Sequence, residues 1–138
     1  MRITLKDAVR FHGHLGPYLV LGLLAGELAL KRLQCKKYFG LSVKVFGANK
    51  KPKSCLIDGL QLSTGATYGK GNIKNITGNK IQVLIFDIAN NNRIKISLKG
   101  DFNKRLGELK THLDSEAFAK ELYKMNPLKI FRLITHNP

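Results

Sequence analysis

The run "PYLVLGLLAGELALKRLQ", residues 17–34, constrains the fold more than any other part of the chain. It has helical composition and is apolar almost all round, with Glu27 as its single acid. A helix of this kind is buried by other elements on most sides. Its uninterrupted apolar part is shorter than the roughly 20 residues that a bilayer requires. The run therefore predicts the central helix of a globular protein, without a membrane partner.

The start and the surface of this helix follow from its small residues and its proline. Pro17 favours the first helical position and keeps Gly16 out of the α region, so we expect the helix to begin at Pro17. Four small residues leave room for another backbone to approach closely. They are Gly22, Ala25, Gly26 and Ala29. Packing within the chain and an interface with a second copy both fit this pattern.

The remaining helices are indicated by caps and by periodicity. Thr4 is a plausible N-cap with Asp7 in the first turn behind it, and Ser54 is a plausible N-cap of a helix that starts at residue 55. Further helices are predicted near 102–109 and across "SEAFAKELYKM". A short apolar segment, "KIFRLI", follows them.

Strand-like alternation dominates the middle of the chain. A strand is predicted near residues 41–47. The segments "NIKNI", "KIQVLIFDI" and "RIKISL" predict three more strands, joined by turns at "TGN" and "NNN" as an antiparallel meander. Because no repeat, low-complexity tract or linker interrupts the 138 residues, we predict a single α+β domain over residues 1–138.

The charge of the chain is strongly positive. Twenty-four Lys and Arg against nine Asp and Glu give a net charge of +15, and eight basic residues but no acid lie between Glu27 and Asp58. Such a field attracts nucleic acid, anionic small molecules or acidic partners, although a solubilising surface explains it equally well. No recognisable nucleic-acid module accompanies the charge. Non-specific nucleic-acid binding is therefore an alternative function.

Cysteine usage indicates the compartment. Cys35 and Cys55 form no CxxC pair, so a disulfide framework is not expected. The first residues, "MRITLKDAVRFHGH", lack an apolar leader segment. Together these observations predict a reduced, cytoplasmic protein.

The segment "FHGHLGP" carries two imidazoles beside the start of the central helix. Residues two apart lie on opposite sides of a helix but on the same side of an extended segment. His12 and His14 can therefore meet one ligand if the segment is extended or looped, and the Gly16–Pro17 pair favours such a conformation.

His12, His14 and Cys55 would form a reasonable zinc site with a fourth position for water or substrate. Cys55 would open a helix, where a thiolate is stabilised. Asp58, one turn further on, would orient a ligand or be one itself, and in an enzyme it is the candidate acid/base. The other interpretation is a core cysteine and a hydrogen-bonded turn.

The glycine-rich segment "TGATYGKGN" follows the predicted helix at 55–64. Three residues rather than four separate its first glycine from the Gly-Lys pair, and a strand rather than a helix follows, so it is not an ATPase P-loop. A tight turn and a loop that cradles an anionic cofactor both fit. The candidate cofactor-binding residues are Thr64, Gly65, Thr67, Gly69, Lys70, Gly71 and Asn72.

"FHGHLGPYLVLGLLAG", then "CLIDGLQLSTGATYGKGN", then a β-hairpin together resemble the family of the formylmethanofuran dehydrogenase E-subunit. The resemblance covers most of residues 7–87. It includes the candidate metal and loop residues together with Asp58 and Gln61. The family has an FHGH-x-C-P-G-type motif and a C-x-x-D-x-x-Q element that runs into TG-C-T-x-GKGN.

The resemblance implies helices packed on a mixed, largely antiparallel sheet, a homodimer, and a metal site at the histidine and cysteine positions. Zinc suits these donors best, although another transition metal is compatible with them. The implied role is an accessory or small-molecule-binding protein linked to one-carbon or molybdenum/tungsten enzyme metabolism. This chain departs from the family at Gly16 and Ala66, where cysteines are common. No cysteine follows Cys55 in these 138 residues, so the zinc-ribbon tail of some family members is not expected here.

Overall fold

The computed structural model describes residues 2–137. Six helices and five strands follow one another along this part of the chain. In order they are α1 (Leu5–His12), α2 (Pro17–Leu33), β1 (Leu41–Phe46), α3 (Cys55–Thr64), β2 (Ile73–Ile76), β3 (Gln82–Asp87), β4 (Arg93–Leu98), α4 (Gly100–Gly107), α5 (His112–Lys124), α6 (Pro127–Ile130) and β5 (Phe131–His136). The predicted α+β class is confirmed.

The five strands form one mixed sheet in the order β2-β1-β3-β4-β5. β1 pairs with β2 in parallel, and the other neighbours are antiparallel. The predicted meander is therefore correct for β3 and β4 but wrong for β2, which does not pair with β3. The reason is that α3 makes the crossover connection that a parallel pair requires and places β2 on the outer side of β1.

The helices cover one face of the sheet. Alternate residues of the three inner strands point into this layer and are buried, as the period of two requires. They are Leu41, Val43, Val45, Val83, Ile85, Asp87, Ile94, Ile96 and Leu98. Helix α2 lies in the centre and contacts α3, α5 and the sheet. It begins at Pro17 as predicted, and nearly all of its first 13 residues are buried.

The small residues of α2 serve packing within the chain. A Cβ at Gly22 would lie 2.1 Å from the carbonyl oxygen of Leu56, and one at Gly26 would lie 1.9 Å from Ser63 Oγ. The Ser63 hydroxyl, in turn, is 3.1 Å from the carbonyl oxygen of Gly22. These contacts with α3 favour the interpretation that the small residues serve packing within the chain over the interpretation that they form an interface with a second copy. The homodimer stays a prediction that depends on the family resemblance.

Among the helices of residues 2–137, none is long and apolar enough by itself to cross a membrane. Only α1 and α2 taken together meet the criteria of length and composition, and they are bent by 119°.

We predict that Gly59→Ala destabilises the fold by about 1–3 kcal/mol, although alanine favours a helix over glycine by about 1 kcal/mol. The reason is that a Cβ at Gly59 would lie 2.2 Å from the Leu19 carbonyl oxygen and force α2 and α3 apart. Urea unfolding measures the effect. Gly107→Ala is the matched control, because no atom lies within 4 Å of its added Cβ. Equal stability of the two variants would contradict the prediction.

Candidate metal centre

The two histidines are brought together by the turn between α1 and α2. His12 is the last residue of α1, and Gly13 caps the helix with φ +109°, donating its N–H to the Val9 carbonyl oxygen at 2.7 Å. Glycine adopts this left-handed conformation without steric cost. The imidazole centroids of His12 and His14 lie 4.7 Å apart. The prediction of an extended or looped segment is therefore wrong for His12, which is helical, and correct for Gly16, which is extended.

Helix α3 presents three polar side chains to this turn at intervals of three residues. Cys55 is its first residue, and Asp58 and Gln61 follow on the same face. The predicted capping by Ser54 is wrong, since that residue is itself α-helical and its side chain makes no capping hydrogen bond. The chain enters α3 through a turn at residues 51–54, which satisfies the first N–H groups with backbone carbonyls.

His12, His14 and Cys55 form a cluster that could hold a metal ion. One ligand atom of each lies within 4.8 Å of those of the other two. Donors bound to one tetrahedral zinc ion at 2.0–2.3 Å lie about 3.3–3.8 Å apart. Small side-chain rotations would therefore suffice to bring all three onto one ion. His14 is exposed and the other two are half-buried.

His12 is oriented by Asp58. Its Nδ1 lies 2.6 Å from Asp58 Oδ2, and because a carboxylate only accepts hydrogen bonds, we assign the proton to Nδ1. In the neutral imidazole, Nε2 then carries the lone pair. It is buried and has no hydrogen-bond partner among the described residues. An unpaired buried nitrogen is costly, and a bound cation would relieve this cost.

The environment of the Cys55 thiol disfavours a free thiolate. Burial, followed by the negative charge of Asp58, raises the pKa of Cys55, while Lys51 and a backbone hydrogen bond act in the opposite direction. The thiol is therefore held neutral until a positive charge arrives. Binding of a cation would release its proton.

Hydrogen bonds connect the cluster to the glycine-rich loop. Gln61 Nε2 donates to Asp58 Oδ1 at 3.4 Å, and Gln61 Oε1 accepts the N–H of Tyr68 at 3.0 Å. Asn72 closes the loop, since its Oδ1 accepts the Thr67 N–H and its Nδ2 donates to the Tyr38 carbonyl oxygen. The C-x-x-D-x-x-Q spacing thus joins the metal candidates to the loop.

Most of the candidate cofactor-binding residues have contacts within the protein. Thr64 is buried and donates to the Leu60 carbonyl oxygen, and Gly65, at φ +78°, packs against the Tyr38 ring. Lys70 donates from its backbone N–H and from Nζ to Thr67 Oγ1. Gly69 and Gly71 have open space around them. These contacts build a tight turn, and the Lys70 ammonium keeps further donors for an anion.

A cavity of about 200 Å³ adjoins the cluster at His14 and Cys55. Its other polar residues were not identified from the sequence. They are Tyr18, His112 and Ser115. Tyr18 lies in an apolar run, and the other two lie on α5, nearly 60 residues beyond Cys55. Tertiary packing alone brings them here, so no local pattern could have indicated them.

Comparisons with known proteins agree with this architecture. A family model described as "FmdE, Molybdenum formylmethanofuran dehydrogenase operon" matches residues 11–133. The crystal structure of an FmdE-like protein, of the tungsten formylmethanofuran dehydrogenase type, from Syntrophus aciditrophicus is similar, with a TM-score of 0.68 and 22% sequence identity. The similarity covers 97% of this chain and 70% of that chain and establishes the fold. No curated protein matches the sequence.

We predict that Asp58→Asn weakens metal binding about 10- to 100-fold, because an amide orients and polarises the His12 ring less well than a carboxylate does. Competition with a chromophoric chelator measures the affinity. Asp101→Asn, an exposed carboxylate on α4, is the matched control. If both variants bind metal like the unaltered protein, the hydrogen bond to His12 has no role in metal binding.

Proposed function

Because this chain belongs to the FmdE family, we propose that it is a metal-binding accessory or small-molecule-binding protein of the FmdE type. His12, His14 and Cys55 would hold one transition-metal ion. The main support for the proposal is the hydrogen bonding of the two ring nitrogens of His12. Its Nδ1 is fixed by Asp58, and its buried Nε2, which has no hydrogen-bond partner within residues 2–137, lies beside a second imidazole and a thiol.

Zinc suits the donor set best. Two neutral imidazoles and one thiolate are borderline and soft ligands, and three protein ligands leave one position for a further ligand. A zinc ion in such a site supplies Lewis acidity to whatever occupies that position. The description of the family, which names a molybdenum formylmethanofuran dehydrogenase operon, supports a role linked to one-carbon or molybdenum/tungsten enzyme metabolism.

The contacts of Asp58 favour orientation of His12 over acid/base chemistry. One of its carboxylate oxygens is hydrogen-bonded to His12 and the other to Gln61. A general base needs an oxygen free to meet the proton that it abstracts. The protein's contribution at this site is thus to fix the donors. Lys70 is the basic residue of the glycine-rich loop and would bind an anionic ligand there.

We predict about one transition-metal ion per chain in protein purified without chelator or reloaded with zinc. X-ray absorption should find N and S donors at roughly 2.0–2.3 Å. His14→Ala and Cys55→Ser should each reduce the affinity sharply, because a site with three protein ligands has no spare donor. Cys35→Ser is the matched control, since Cys35 lies outside the cluster. Reloaded protein that binds no zinc would refute the metal centre.

We propose non-specific binding of single-stranded nucleic acid as a second candidate function. The observation that favours it is a pair of exposed rings near the Lys70 ammonium. Tyr38 is 56% and Phe39 78% exposed, and the Tyr38 ring centroid lies 5.8 Å from Lys70 Nζ. Tyr68, two residues before Lys70 in the loop, is 90% exposed. Lys70 Nζ lies 5.6 Å from the Phe39 ring centroid. Exposed rings beside lysines are the elements on which bases stack while phosphates are neutralised.

We predict that Phe39→Ala weakens binding of a labelled single-stranded oligonucleotide about 5- to 160-fold, since stacking of one base contributes roughly 1–3 kcal/mol. Leu113→Ala removes an equally exposed apolar side chain from α5 and is the matched control. Affinity should fall steeply with salt and should not depend on base sequence. Fluorescence anisotropy measures all three effects, and a strong sequence preference at physiological salt would contradict non-specific binding.

A further inference from the structure

The cavity beside the cluster is small and mostly apolar. Its volume of about 200 Å³ corresponds to about seven water molecules at ~30 Å³ each. This is below the ~300–1,000 Å³ of pockets for drug-sized ligands. The apolar walls come from several separate segments of the chain. They are Leu15, Pro17, Pro52, Leu106 and Leu109.

One end of this cavity is formed by two of the three metal candidates, His14 and Cys55. A ligand in the cavity would therefore lie beside two of the three donors, and a site with three protein ligands leaves one position for a further ligand. Charge favours an anionic donor there. Lys50, Lys51 and Lys53 lie in the segment before Cys55. The acids on neighbouring elements are Asp58, which is hydrogen-bonded to His12 and Gln61, and the exposed Glu108 and Asp114.

Tyr18 supplies a hydrogen-bond donor within the cavity. The residue is only 9% exposed, and it lines the cavity. Its phenol hydroxyl is a hydrogen-bond donor. Burial raises the pKa of Tyr18, so the phenol stays protonated and able to donate. The hydroxyl can therefore donate a hydrogen bond to a ligand that enters the cavity.

We propose that this cavity binds a small carboxylate with a short apolar body, whose head group meets the metal and accepts a hydrogen bond from Tyr18. The proposal rests on the metal centre proposed above. The apolar walls bury the body of the ligand, and His112 and Ser115 offer polar contacts at the wall formed by α5. The limited volume favours a small ligand over a nucleotide or another large cofactor.

The test is calorimetric titration of the zinc-loaded full chain with straight-chain carboxylates from formate to hexanoate. Affinity should rise about fourfold with each added methylene until the cavity is filled, and then stop rising. Tyr18→Phe should lower the affinity for the best carboxylate at least about tenfold, as expected for a lost hydrogen bond to a charged group, without changing the zinc content. Tyr123→Phe is the control, because its hydroxyl donates to the Ile3 carbonyl oxygen.

The outcomes separate the two proposals. Protein that takes up no zinc refutes the metal centre and this inference with it. Zinc-loaded protein that binds every carboxylate equally, or a Tyr18→Phe variant with unchanged affinity, refutes the cavity proposal alone. A chain-length optimum that disappears when zinc is removed, together with the effect of Tyr18→Phe, supports both.

Discussion

The close approach of α2 and α3 determines the geometry of the candidate site. Gly22 of α2 lies against Gly59 of α3. The space that a side chain on either glycine would need is occupied by backbone atoms of the other helix. The histidines stand immediately before α2, and Cys55 opens α3. The separation of the two helices therefore sets the separation of the imidazoles from the thiol. A larger residue at the glycine contact would affect the site even though it lies in the core.

A second constraint is the helical spacing of α3. Residues three apart lie on neighbouring parts of one face, so Cys55, Asp58 and Gln61 meet three successive partners. Cys55 joins the imidazole cluster, and Asp58 is hydrogen-bonded to His12. Gln61 accepts the backbone N–H of Tyr68. The glycine-rich loop is thereby coupled to the orientation of His12. A change in this loop can reach His12 through three successive hydrogen bonds, from Tyr68 to Gln61, from Gln61 to Asp58 and from Asp58 to His12.

Local sequence signals were sufficient to predict most helices and strands. They were not sufficient to predict which strands pair or which residues line the cavity. The start of α2 at Pro17 and the alternation within the strands each depend on only a few neighbouring residues, so both could be predicted from the sequence. The pairing of β2 with β1 depends on the crossover through α3, which a search for short turns does not detect. The donors His12, His14 and Cys55 were identifiable by chemistry. Tyr18 was not, because within an apolar run a tyrosine is indistinguishable from a core residue.

The two departures from the family pattern have different structural consequences. Ala66 is fully buried in the main core, so its side chain affects packing. Gly16 lines the cavity, and a Cβ there would lie 3.2 Å from His14 Cε1, closer than an ordinary contact. With glycine in place of cysteine at this position, the cluster lacks one thiolate ligand, and space is left beside the His14 ring. A fourth ligand for the proposed ion then has to come from water or from a small molecule, which fits an open cavity at this side of the cluster.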